Sequence, residues 1–375
     1  MFRGLTMVLM VFVNDFWTIL DVPHWLEHFA TFEDGMGLSD IVYPLFLFAV
    51  GMSIPFAIER RYEKGYSPES TLGHIFSRTL ALLVMGAFIC NQESREMLGN
   101  RWLWLALMIV GFFLVWNQYK PDFKAARWCK WAGVALLVGL AVCFRTPDGH
   151  HFEGLWWGIL GQIGWAYLFC ALAYLLCRQR TWPLALLWLL LGLVNLSVTP
   201  MRGGDPLIGH NVLGDITDAL HLNNGYNAFM ALGGMLTILA ERRLKTAKVG
   251  IGAAAAAVLV VLALAVHQGW IISKNLGTLP WCLLVSAIGV ALYTLLRVLE
   301  AKGWTAWFKP LQPAGTATLT VYMIPYLFVA LWILVAPTIP AWLSGWVGVA
   351  KSAVYTAVVL AVAWGLTKAG IKLKV

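Results

Sequence analysis

Residues 38–58 read LSDIVYPLFLFAVGMSIPFAI. Asp40 is the only charge in the run, and the next one is Glu59. A stretch this long and apolar meets the ~20 residues that an α-helix needs to cross a bilayer. Lipid offers backbone amides no partner, so the stretch must be helical. Pro44 and Pro55 each remove a backbone hydrogen bond and bend the helix. Bent helices often line sites. The composition repeats this character along the whole chain. Of 375 residues, 60% are hydrophobic and 12% charged. That excludes a disordered, a fibrous or an ordinary soluble protein. Twenty Trp and eleven Tyr suit aromatic belts at the two faces of a membrane.

Apolar runs separated by polar breaks predict about twelve spans, at 4–20, 38–58, 77–92, 101–117, 131–145, 155–177, 183–199, 225–241, 249–268, 279–299, 313–336 and 346–367. The first run begins almost at Met1, lacks a small-residue cleavage site and is read as a retained helix. The expected fold class is therefore all-α: a polytopic membrane protein of about 12 transmembrane helices, forming a single domain over 1–375. With both termini placed in the cytoplasm, 21 of the 27 Lys and Arg fall on the cytoplasmic side. Thirteen of the 19 acids fall on the other side, with seven of the eight histidines. That is the positive-inside pattern. It accounts for the +8 net charge without nucleic acid. A cytoplasmic (inner) membrane location is expected. No internal repeat is evident. Two outer segments, 21–37 and 200–224, are long and rich in Gly, Asp, His and Asn.

The densest chemistry is Asn14, Asp15, Asp21, His24, Glu27, His28, Glu33, Asp34 and Asp40, at the outer ends of the first two spans and the loop between them. Polar groups near membrane depth are costly and usually functional. Histidine titrates near neutrality, so His28 is the natural general base, with carboxylates to orient it. The same residues would also serve to cap helices and solvate a loop. Lys274 and Asn275, in Ser-Lys-Asn before a span, suit an anionic group or a sugar hydroxyl, or a snorkelling lysine. Gln162 and Asn227, amides beside glycines at helix ends, suit a sugar or a cap. Arg60, Arg61, Arg127, Lys130, Arg242 and Arg243 would hold phosphate on the inner side, or simply set topology and meet anionic lipid. The six cysteines show no CxxC or Cys/His spacing, and no metal is expected. The sequence has no P-loop, GxGxxG, GxSxG or HExxH.

Three segments together carry a resemblance. F-R-G-L-T-M-V-L-M-V-F-V-N at 2–14, W-L-E-H at 25–28 and L-S-D-I-V-Y-P-L-F-L-F-A-V-G-M-S-I-P at 38–55 resemble the transmembrane acyltransferases of the heparan-α-glucosaminide N-acetyltransferase family. Weaker likeness continues at 155–164, 224–234, 273–279 and 312–322. That family's core has ten spans, so the resemblance makes 94–150 an inserted helical hairpin. It also makes the start truncated or misassigned, because an acid that normally precedes F-R-G is absent. The resemblance implies acetyl-CoA as co-substrate on the cytoplasmic side and the amine of a terminal glucosamine as acceptor on the outer side. It implies His28, Asn14 and Asp40 as catalytic residues. Asp15, Glu27, Gln162, Asn227, Lys274 and Asn275 are the candidate acceptor contacts. Arg60, Arg61, Arg242 and Arg243 are the candidates for the phosphates of acetyl-CoA. A homodimer is what the family suggests. Two other readings stand beside this one: acyl transfer to a different glycan acceptor, and a 12-helix secondary transporter of sugars.

Overall fold

A computed structural model describes residues 1–177, 180–208, 212–244, 249–335 and 342–375, and of 212–213 the backbone alone. Arg178, His210, Lys245 and Lys248, which entered the charge and histidine counts, lie outside the described residues, as does the end of the expected 313–336 span. The described residues form fourteen α-helices and contain no β-strand beyond isolated bridges. In chain order these are α1 (Phe2–Asn14), α2 (Leu38–Glu63), α3 (Pro68–Ser94), α4 (Arg101–Trp116), α5 (Ala126–Cys143), α6 (Ile159–Leu176), α7 (Thr181–Val198) and α8 (Val212–Ala219). They continue as α9 (Tyr226–Leu244), α10 (Val249–His267), α11 (Leu279–Ala301), α12 (Gln312–Thr316), α13 (Thr318–Val335) and α14 (Gly345–Lys368).

Each of the twelve apolar runs contains a helix, and the chain is a multi-pass membrane protein. By length and composition, nine of the described helices are able to cross a membrane: α2, α3, α5, α6, α7, α10, α11, α13 and α14. The other three depart from the expectation for physical reasons. α1 stops at Asn14 and gives way to a 3₁₀ turn at Phe16–Thr18, so the run 4–20 is not one helix. Thirteen residues at ~1.5 Å each fall short of the hydrocarbon core. α4 has 16 residues. α9 closes on Glu241, Arg242 and Arg243, charges that belong at an interface.

The chain divides into two compact units. The first holds residues 1–6, 23–76 and 165–307. Its centre is α2 lying along α9, with α7 and α11 against α9 and α10 paired with α11. Small residues permit that close crossing. A Cβ built on Gly51 would sit 1.7 Å from the Ala231 carbonyl oxygen, and one on Gly234 would sit 2.0 Å from that of Phe48. Backbones approach this closely only where side chains are missing, the usual device of helix packing in lipid. The two prolines of α2 are also accommodated. Pro44 has no N–H for the Asp40 carbonyl, and the buried Trp281 indole N–H donates to that oxygen instead, at 3.2 Å.

The second unit holds residues 7–22, 77–164 and 308–375. α4 and α5 pair as a hairpin, α13 packs on α4, and α14 packs on α13 and on the Phe16–Thr18 turn. Asn91 of α3 clasps the loop before α6: its side chain donates to the Glu153 carbonyl at 2.7 Å and accepts from the Glu153 N–H at 3.2 Å. Arg95 grips the Glu153 carboxylate with two bonds of 2.9 and 2.6 Å.

Candidate functional site

In the first unit, the loop leading into α2 folds onto the loop leading into α11. A single 3₁₀ turn at His24–Leu26 starts the arrangement, and Gly37 sets the entry to α2. A Cβ on Gly37 would meet the Glu27 carbonyl oxygen at 2.0 Å, so only glycine fits there. Asp40, in the first turn of α2, reaches back and accepts the Gly37 N–H at 3.0 Å through Oδ2. The same oxygen accepts the Phe29 N–H at 3.1 Å. Oδ1 lies 2.7 Å from His28 Nδ1. The carboxylate is 1% exposed, whereas the His28 side chain is 53% exposed.

This geometry assigns the imidazole tautomer. Asp40 is an acceptor, so His28 donates Nδ1–H to it, which leaves Nε2 with the lone pair. Buried oxygens that hold three donors fix the ring against rotation. An oriented imidazole with a free, accessible Nε2 is suited to take a proton from an incoming group.

Lys274 Nζ lies 3.3 Å from His28 Nδ1. Burial pulls the Lys274 pKa below the ordinary lysine value, while the Asp40 charge works in the opposite direction. Asn275 donates to the Phe29 carbonyl at 3.2 Å. Further bonds stitch the two loops together. Ser273 Oγ donates to the Thr31 carbonyl at 2.7 Å, Gly35 N–H to the Ile272 carbonyl at 2.9 Å, and Ile272 N–H to Asp34 Oδ1 at 2.9 Å. Arg202, in the long 200–224 segment, binds the other oxygen of Asp34 at 2.6 Å. His24 stacks on Phe29 and pairs with Glu33 at 2.6 Å. The Ala30 N–H, and then His24, hold the Glu33 carboxyl below the usual glutamate range.

Of the expected site residues, the structure brings His28, Asp40, Lys274 and Asn275 into one cluster. Glu27 is half-buried and closes the 3₁₀ turn beside it. Asn227 is buried and committed to structure: its Oδ1 accepts the Tyr43 hydroxyl at 2.8 Å, and its Nδ2 donates to the Asn224 carbonyl at 2.9 Å. Asn14, Asp15 and Gln162 belong to the second unit. There the Asp15 carboxylate is held by Lys351 at 2.9 and 2.7 Å and by the Ser352 hydroxyl. Asn14 is exposed at the end of α1 and lines a cavity of about 570 Å³. Gln162 is half-buried in the first turn of α6.

The four arginines gather where α2 and α9 end, in the first unit. Arg242 pairs with Glu59 at 2.6 Å and lies over the Phe56 ring at 4.3 Å. Arg61 donates to Ser70 and lies 4.4 Å over the Tyr66 ring. Arg60 and Arg243 are exposed. Of the four, only Arg242 meets Glu59, whose Oε1 also accepts the Tyr174 hydroxyl at 2.8 Å; guanidinium groups at helix ends are the side chains that suit phosphate. Among the described residues, no group of three His, Cys, Asp or Glu is placed to hold a metal ion.

Sequence reasoning missed Arg202 as the partner of Asp34, and it missed Glu93, Tyr322 and Tyr326. Glu93 accepts the Tyr326 hydroxyl at 3.0 Å, and Tyr326 lies 3.1 Å from the Tyr322 hydroxyl. The available signal was Gln92-Glu93, a polar pair at the end of an otherwise apolar run.

Comparison with known proteins bears on this cluster. Residues 1–104 match the family model described as heparan-alpha-glucosaminide N-acetyltransferase, catalytic. Over 92 residues the chain is 34% identical to the heparan-alpha-glucosaminide N-acetyltransferase of Mus musculus and 33% identical to that of Homo sapiens. Each alignment covers 24% of this chain and 13% of the relative, so the match spans a small part of those proteins. The matched residues include Asn14, Asp15, Glu27, His28, Asp40, Arg60 and Arg61. Gln162, Asn227, Arg242, Arg243, Lys274 and Asn275 lie beyond them, as do the weaker likenesses from 155 onward. Over its first 104 residues, the chain is thus similar to the catalytic region of heparan-alpha-glucosaminide N-acetyltransferases, in the stretch that holds F-R-G, His28 and Asp40.

Proposed function

We propose that this protein is a transmembrane N-acetyltransferase. It would take acetyl-CoA from the cytoplasmic side and deliver the acetyl group to the amine of a terminal glucosamine on the outer side of the inner membrane. The observation that carries the reading is the His28–Asp40 pair, a buried and fully occupied carboxylate orienting an accessible imidazole, inside the stretch that matches an acetyltransferase family. A thioester is already activated, so the reaction needs a deprotonated amine and stabilisation of the oxyanion. In the direct route His28 Nε2 takes the proton of the attacking amine. The amine nitrogen bonds to the acetyl carbon, the C–S bond breaks, and the thiolate of CoA leaves and regains a proton. In the two-step route Nε2 bonds to the acetyl carbon as the C–S bond breaks and the CoA thiolate leaves; the amine nitrogen then bonds to that carbon, the C–Nε2 bond breaks, and the freed imidazole takes the amine proton. Lys274 is placed to keep positive charge beside the pair in either route. The arginine patch at the ends of α2 and α9 supports the donor assignment, with Arg60 and Arg243 the more open of the four.

A homodimer, an inner-membrane location and inward-facing termini are part of the same proposal. Transfer to another glycan acceptor is the nearest variant of it. The test is to incubate purified protein in detergent with labelled acetyl-CoA and glucosamine. Labelled N-acetylglucosamine is the expected product. Bound acetyl-CoA without product would keep the donor and change the acceptor. Protein-dependent uptake of labelled sugar into vesicles without CoA, with no acetylation, would overturn the reading in favour of a transporter.

A further inference from the structure

The first unit contains a cavity of about 690 Å³ walled by α9, α10 and α11. Its size falls within the ~300–1,000 Å³ typical of small-molecule sites. α10 packs chiefly along α11, and the cavity occupies the space on its α9 side. The cavity follows α11 from Ser286 to Lys302, a run of roughly 24 Å at ~1.5 Å per residue. Leu236, Val258, Leu259, Leu262 and Val290 make most of this length apolar.

The charged groups at the Lys302 end are already engaged. Glu241 accepts Arg297 Nε at 2.8 Å and the Tyr293 hydroxyl, and Glu300 accepts Arg297 Nη1. Lys302 is exposed to solvent and lies 5.1 Å over the Trp304 ring. Thr237 and Thr294 give their protons to carbonyls one turn back, those of Gly233 and Val290, at 2.9 and 2.8 Å. The other end differs. Trp188 Nε1 is buried and has no acceptor among the described residues. Ser286 is 1% exposed, and its hydroxyl has only the Met230 sulfur at 3.6 Å, a weak acceptor. Both donors border Gly233. A Cβ built on Gly233 would lie 3.5 Å from Trp188 Nε1, 3.6 Å from the Phe48 ring and 3.7 Å from Ser286 Oγ. Glycine thus leaves a niche whose wall carries two donors short of an acceptor, and buried donors in that condition are costly.

We propose that this cavity binds a neutral isoprenoid quinone, with a ring carbonyl at the Gly233 niche and the hydrocarbon tail along α11 between α9 and α10. Two converging donors call for an acceptor oxygen and repel an ammonium group. The engaged Glu241, Arg297 and Glu300 leave no buried charge to hold a phosphate, which argues against a phospholipid headgroup or a nucleotide. An apolar slot of this length suits a long tail and not a small polar molecule. A quinone joins a carbonyl-bearing ring to such a tail and dissolves in the bilayer that surrounds the helices. The proposal concerns binding alone and is independent of acetyl transfer.

The test is equilibrium dialysis of the full-length purified protein in detergent against labelled decylubiquinone, with empty micelles as the blank. Saturable binding is expected. Competition by n-decylbenzene, which keeps a ring and tail but lacks the carbonyls, should be about tenfold to a hundredfold weaker than by unlabelled decylubiquinone, the range for two hydrogen bonds. Gly233→Ala adds a methyl at ordinary van der Waals distances, so the protein should fold as before while the filled niche costs at least about tenfold in affinity. Trp188→Phe removes one donor and should weaken binding severalfold. Absence of saturable binding would overturn the proposal, as would equal competition by n-decylbenzene or an affinity unchanged in both variants. Stronger competition by monoolein would overturn it in favour of an acylglycerol, and stronger competition by acetyl-CoA would overturn it in favour of the acetyl donor.

Discussion

Asp15 and Asp40 are both buried aspartates at the mouth of a helical segment, 5% and 1% exposed, and both are saturated with donors. Their surroundings differ in what lies beyond the first partner. Asp15 ends in Lys351, Ser352 and Thr18, short links that tie the turn after α1 to α14. Asp40 ends in an imidazole whose side chain is about half exposed. A buried carboxylate is therefore no sign of a site on its own. The partner decides: a closed ion pair anchors a fold, while an oriented and accessible titratable ring is available for chemistry.

The contrast is sharpest when each side is removed. His28→Ala should lower acetyl transfer by roughly 10²–10⁴-fold with little change in melting temperature, the range for a lost general base. Asp15→Ala should do the reverse. It leaves Lys351 without its buried partner and should cost about 3 kcal/mol of stability, read in a thermal or denaturant melt. The turnover per folded molecule should stay within a few-fold. A raised KM for the acceptor at wild-type stability would instead restore Asp15 as a substrate contact, as the sequence alone suggested.

Packing gives the next effect in size. Gly234→Ala puts a methyl against the Phe48 carbonyl at the α2–α9 crossing and should cost about 1–3 kcal/mol. Because α2 carries Asp40, loss of activity should track loss of stability. The smallest effects concern the loops around His28. Glu33 has a lowered folded pKa, so its contribution is present above the ordinary glutamate value and disappears as pH falls through the lowered one. Amide exchange across 24–33 should quicken in that window, and Glu33→Gln should remove the pH step. For Lys274 the slope has the same sign but lies at higher pH. Its folded pKa is depressed, so stability should rise with pH between that value and the ordinary one near 10.5, and Lys274→Met should flatten the slope.

Much of this was legible in the sequence because membrane helices announce themselves by apolarity. Every expected span contains a helix. Boundaries slipped where structure depends on polar residues. α3 begins at Pro68 rather than near 77, since Ser67 caps the start and the first turns are solvated. The run 313–336 breaks at Ala317, after the five-residue α12, so that α13 starts at Thr318. The site was half legible. His28 and Asp40 are 12 residues apart on either side of one loop, and their types suggest the pairing. Lys274 beside His28 and Lys351 on Asp15 are contacts across 246 and 336 residues, which no local pattern encodes. Glu93 went unremarked because one acid at the end of an apolar run resembles an ordinary interfacial charge.

The most direct test of the account compares wild type and His28→Ala, purified side by side, for transfer of labelled acetyl from acetyl-CoA to glucosamine. The account predicts transfer by the wild type alone, with both proteins binding acetyl-CoA and melting at the same temperature. Undiminished turnover by His28→Ala would contradict it.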